Sequence, residues 1–176
     1  RVTLVLTTGG GALENDVPPG VEVVILRPFA FGGHFARARG ALQRLASLPD
    51  LLGYMLMRIW GALRTIPFQF RRYTAAVALL HSLDPFFVTK VVRADRRVQW
   101  IRTDLKGYGP DKRVAARLSQ FADRIDHFVS VSSASLHSLV EAVPGARDKS
   151  RVIYNILDAE CMRAFGEGQP DPFPPR

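Results

Sequence analysis

A chain of 176 residues with 47% apolar and 23% charged side chains has the composition of one folded domain with a sizeable core. That excludes a disordered segment and leaves too little chain for two full-sized domains. Lysine and arginine outnumber aspartate and glutamate by 24 to 16, a net charge of +8 that directs attention to anionic partners: phosphate groups, acidic lipid or nucleic acid. The single cysteine, Cys161, excludes an internal disulfide and a zinc-binding cysteine cluster, which fits a reducing compartment.

The chain enters a strand-like run directly after Arg1, with neither initiator Met nor leader, and reads as an excerpt of a longer chain. Val2 to Leu6 is an apolar β-type run. Thr7 to Gly20 is a loop carrying Gly9-Gly10-Gly11 and Pro18-Pro19-Gly20, whose spacing fits no phosphate-binding fingerprint. Val21 to Leu26 is a second strand. From Phe35 the periodicity becomes helical: Phe35, Ala38, Leu42 and Leu45 recur at spacings of three and four. Pro49-Asp50 opens a second helix through Leu51, Leu52, Met55, Leu56, Ile59, Trp60 and Leu63, ending near Pro67. Arg58 and Arg64 interrupt it, so it falls short of a bilayer span. It reads either as a core helix or as a helix on an anionic membrane surface, with inward packing the expectation. On the second reading Arg37, Arg39, Arg44, Arg58, Arg64, Arg71 and Arg72 form a basic rim.

Thr74 to Leu80 reads as a buried strand, His81-Ser82 as a loop, and Asp84 to Ala94 as a helix. Val98 to Ile101 is the next strand, followed by a polar loop that Gly107 and Gly109 loosen, and a helix over Asp111 to Ala122. Phe128 to Val131 is a strand, Ser132-Ser133 caps a helix from Ala134 to Val143, and Arg151 to Tyr154 is the last strand. Gly166 to Arg176 reads as a linker, leaving residues 1–165 as the domain. Alternating strands and helices with near-continuous apolar strands predict a parallel sheet covered on both faces, a Rossmann-like α/β/α sandwich.

Parallel strands deliver the residues just past their carboxyl ends to one edge of the sheet, where open α/β folds bind their ligands. Here those residues are His81 and Ser82, then Arg102, Thr103 and Asp104 with Lys106 and Tyr108, then Ser130, Ser132 and Ser133, then Asn155. Asp104 serves there as a general base or as an acceptor for a sugar hydroxyl, or else only caps a turn. Ser132 and Ser133 cap a helix or offer its free N–H groups to an anion. No hydrolase triad order, HExxH or paired cysteine occurs, so no metal site is expected.

Four stretches carry a resemblance: Tyr73 to Ala78 (YTAAVA), Val98 to Asp104 (VQWIRTD), Ile125 to Ser132 (IDHFVSVS), and Val152 to Asn155 (VIYN) with Asp158. Together the chain resembles the N-terminal, acceptor-side domain of a family 4 glycosyltransferase with the GT-B fold, and in particular bacterial capsule and exopolysaccharide glycosyltransferases. The resemblance implies a transferase that moves a sugar from a nucleotide-sugar donor to a glycan or lipid-linked glycan. It places the donor on a second, C-terminal Rossmann-like domain beyond residue 176, so that this piece alone is inactive. A cytoplasmic location at the inner membrane face is implied as well, with no metal and no nucleic acid. Many relatives have His where Arg102 stands, which leaves Asp104 as the better carry-over and gives Arg102 a phosphate to meet. The competing reading, from charge alone, is a non-catalytic α/β module for nucleotide or nucleic acid.

Overall fold

The computed structural model describes residues 1–12, 14–27, 48–80, 83–106 and 112–167. These form two compact units, Arg1–Thr74 with Lys90–Asp95, and Ala75–Thr89 with Arg96–Arg176. The class is α/β with parallel strand pairing, and the described strands pair in two sheets, one of two strands and one of four.

In the first unit, strands β1 (Val2–Thr8) and β2 (Val21–Arg27) pair in parallel with Val2 opposite Val21 and Thr8 opposite Arg27. The glycine loop between them is a turn: Gly10 sits at φ 82°, and its N–H donates to the Glu14 carboxylate at 2.8 Å. That amide is committed within the chain, as a plain loop requires. Helix α1 (Leu48–Thr65) has Pro49 and Asp50 in its first turn, where a missing N–H costs nothing and a negative charge meets the helix dipole. It lies against β2 through Gly61, whose missing Cβ would stand 3.4 Å from the Leu26 carbonyl. The expectation that its large apolar residues pack inward is corrected here. Asp50, Leu51, Gly53, Tyr54, Met57 and Thr65 are half-buried and Gly61 is buried, so Leu51 turns inward as expected, while Leu52, Met55, Leu56, Ile59, Trp60 and Leu63 are exposed. Gly61 on the strand-facing side allows a close approach that a leucine there would have blocked. Pro67 starts the one-turn helix α2 (Pro67–Phe70), whose Phe68 is buried and stacks on Tyr73 at 6.1 Å.

The larger sheet has the order β3 (Arg72–Ala78), β4 (Arg93–Ile101), β5 (His127–Ser130), β6 (Ser150–Val152). The helix expected over Asp84 to Ala94 is only a five-residue π-type turn, Phe87–Val91, and strand β4 already begins at Arg93. Asp84 caps the turn by accepting from the Phe86 N–H at 2.9 Å, and both the N–H and the hydroxyl of Thr89 donate to the Pro85 carbonyl. The charged run Arg93 to Arg97 hid the strand start: Arg93 and Asp95 are exposed while Ala94 between them is buried, as alternating faces of a strand require.

In the second unit β4, β5 and β6 pair in parallel, with Ile101 opposite Ser130 and Ser130 opposite Val152. Helices α3 (Lys112–Phe121) and α4 (Ser133–Ala142) supply Leu118, Phe121 and Leu139 to a core with Ile101, Ile125, Phe128 and Val143. Ile101, Leu118, Phe128 and Leu139 are fully buried. Asp126 binds back to β4, accepting from the Arg97 N–H at 2.8 Å, and so fixes where β5 starts. Helix α5 (Ala159–Glu167) comes after β6 and runs into the stretch expected to be linker. Among the described residues no helix is long and apolar enough to cross a membrane.

Candidate functional site

The ladder of the second unit ends in step. The Val131 N–H donates to the Ile101 carbonyl at 3.3 Å and the Ile153 N–H to the Ser130 carbonyl at 2.9 Å. Arg102 to Lys106, Val131 to Ser133, and Ile153 to Asn155 therefore leave the same edge of the sheet from neighbouring strands. The chain leaving β3 is tied there as well, because Gln99, fully buried in β4, donates its side-chain N–H to the Leu80 carbonyl at 2.9 Å. Its Oε1, and the Oγ of fully buried Ser130, have no hydrogen-bond partner among the described residues.

Gly107 and Gly109, expected to loosen this loop, lie outside the described residues, while Arg102 to Lys106 before them are firmly held. The Ser135 hydroxyl donates to the Thr103 carbonyl at 2.9 Å, and the Ser138 hydroxyl accepts from the Leu105 N–H at 2.6 Å and the Lys106 N–H at 3.3 Å. Leu105 is buried in the core beneath them. Lys106 forms an ion pair with Glu141, which also meets His137 at 3.2 Å. The Lys106 ammonium holds the Glu141 carboxyl below the ordinary glutamate range, against partial desolvation and the nearby Asp104 charge. Ser135, Ser138 and Glu141 are one face of α4 at a spacing of three, so a single helix face clamps the loop along its length.

The Asp104 carboxylate is exposed, and its Oδ1 accepts from the Lys106 N–H at 2.8 Å, which closes an Asx turn. Arg102 is exposed beside it and Thr103 half-buried. Ser132 is the N-cap of α4, its hydroxyl accepting from the Ser135 N–H at 3.1 Å, while Ser133 is exposed in the first turn. Asn155 is exposed in the segment after β6. His81, Ser82 and Tyr108 lie outside the described residues. Sequence reasoning missed Ser135, Ser138 and Glu141, although their Ser-x-x-Ser-x-x-Glu spacing along one helix was there to be read.

A second concavity belongs to the first unit, a groove of about 420 Å³ lined by residues that include Glu22, Trp60, Leu63, Arg64, Phe68 and Arg71. Its carboxylate is already engaged: Glu22 accepts from Arg71 at 3.1 Å and from Thr3 at 3.1 Å, and pairs with Arg1 at 3.3 Å. The Arg71 hydrogen bond, with that of Thr3, keeps the Glu22 carboxyl below its ordinary range. Comparison with protein-family models, with curated proteins and with solved structures returns no match.

Proposed function

We propose that this chain is the acceptor-side part of a glycosyltransferase of the GT-B type, acting on a glycan or lipid-linked glycan with a sugar from a nucleotide-sugar donor. In this reading the two-stranded and four-stranded parallel sheets belong to one Rossmann-like half, and the donor is bound by a second such domain. The observation that carries the proposal is the polar loop Arg102 to Lys106, pinned by α4 at the carboxyl edge of parallel strands with the Asp104 carboxylate exposed. A sugar hydroxyl attacking an anomeric carbon must be oriented and relieved of its proton, and a held carboxylate does both. Arg102 is placed to meet a phosphate of a lipid-linked acceptor.

Asp104→Asn separates this role from the turn, because the amide keeps an Oδ1 to accept from the Lys106 N–H while losing the charge. In the enzyme carrying its donor domain, this change is expected to lower kcat by about 10²- to 10⁴-fold with the thermal midpoint unchanged. A normal kcat would reduce Asp104 to its Asx turn and remove the proposal's chemical centre.

A further inference from the structure

Helix α1 wears its large apolar side chains on the outside. Leu52, Met55, Leu56, Ile59, Trp60 and Leu63 recur at i, i+3, i+4, i+7, i+8 and i+11, one continuous face, and each is 48–59% exposed. Eighteen residues make that helix about 27 Å long. An exposed apolar patch this extended marks a site of attachment.

The charge on and beside it is mainly positive: Glu22, which shares a groove with Trp60, Leu63 and Arg64, is already paired with Arg71 and Arg1. From Leu51 to Leu83 the chain has no Asp or Glu, while Arg58 and Arg64 lie on α1 itself. Their guanidinium groups sit 5.7 Å over the Tyr54 ring and 5.8 Å over the Trp60 ring, and neither meets a carboxylate among the described residues. Stacked arginine–aromatic pairs have an apolar body and a charged rim, the shape suited to the level where headgroups give way to acyl chains.

We propose that α1 seats this chain on the surface of an anionic bilayer. The stripe enters the boundary between headgroups and acyl chains, and Arg58 and Arg64 meet lipid phosphates. A bilayer fits better than a protein groove because α1 has no carboxylate after Asp50 and the neighbouring Glu22 is already paired with Arg71 and Arg1, so a negative plane meets the Arg58 and Arg64 charges. The inference rests on α1 alone, and its test involves no sugar, so its failure leaves the transferase reading where it stood.

The test is co-sedimentation of the 176-residue chain with vesicles of phosphatidylcholine alone and of phosphatidylcholine and phosphatidylglycerol in equal parts. Binding is expected to the mixed vesicles, weakened by salt, and far less to the neutral ones. Since each basic residue near such a surface contributes about 1 kcal/mol, the double variant Arg58→Ala with Arg64→Ala should bind about 30-fold more weakly. The triple variant Leu52→Ser, Leu56→Ser, Ile59→Ser should lose binding. These side chains are exposed, so thermal midpoints of both variants are expected to match the parent, and a melt verifies it. Equal partition onto both vesicle types, or no partition onto either, overturns the proposal. So does a solution dimer that the serine variant dissociates, which would assign the face to a second copy of the chain.

Discussion

The two units use similar apolar side chains to opposite ends. In the second, β4 and β5 meet α3 and α4 across a core whose central members, Phe128, Ile101 and Leu139, are fully buried. In the first, no residue of β1 or β2 is fully buried, and α1 meets β2 through Gly61 with Leu52, Leu56 and Leu63 outward. Hydrophobicity by itself does not decide what is inside. The size of the residue on the facing side matters too, because a helix with Gly61 toward a strand approaches it closely and has no room at that point for a large side chain.

The sharpest way to break that contrast is a pair of truncations. Phe128→Ala should cost about 3–5 kcal/mol in urea-melt stability, whereas Leu56→Ala should stay within about 0.5 kcal/mol. A large loss at Leu56 would mean that the α1 face is covered, and the contrast would collapse.

Within the second unit the clamp on the loop gives the next effect. Ser138→Ala leaves the buried Leu105 N–H without its acceptor, which should cost about 1–3 kcal/mol and accelerate hydrogen exchange at Leu105 and Lys106. Unchanged exchange there would show that the loop is held by packing alone.

The smallest effect is electrostatic. Lys106 lowers the folded-state pKa of Glu141, so the pair's contribution is present above the ordinary glutamate value of 4.5 and is lost as the pH falls through the lowered folded value. Amide resonances of Lys106 followed by NMR should shift across that acid window, and Glu141→Gln should flatten the curve. A shift that survives in Glu141→Gln would assign the titration to another group.

The class of fold was legible because strands such as Val21 to Leu26 and Phe128 to Val131 are short, apolar and punctuated by turn residues, a pattern that burial enforces. The start of β4 was not, since four of the five residues from Arg93 to Arg97 are charged and Ala94 alone among them is buried. The orientation of α1 was not legible either: periodicity reveals a stripe but does not say which side of a helix the neighbouring strand takes. At the candidate site, the order of polar residues behind parallel strands was readable, as was the cap at Ser132. What pins the loop was not, because Ser138 lies 33 residues from Leu105 and only the register of β4 against β5 brings them together.

That register ends on a strand of three residues. Strand β6 stands last in the order of its sheet and offers Ser150 to Val152, with the Arg151 side chain exposed along it. Any row of unpaired N–H and C=O groups can recruit a strand from another molecule, and the length of the row governs how well such a pairing holds. A row this short, bearing a cation, gives an incoming strand few bonds to make and places like charges side by side when two copies approach. Among the described strands β6 is the last of its sheet, and its shortness limits edge-to-edge pairing there.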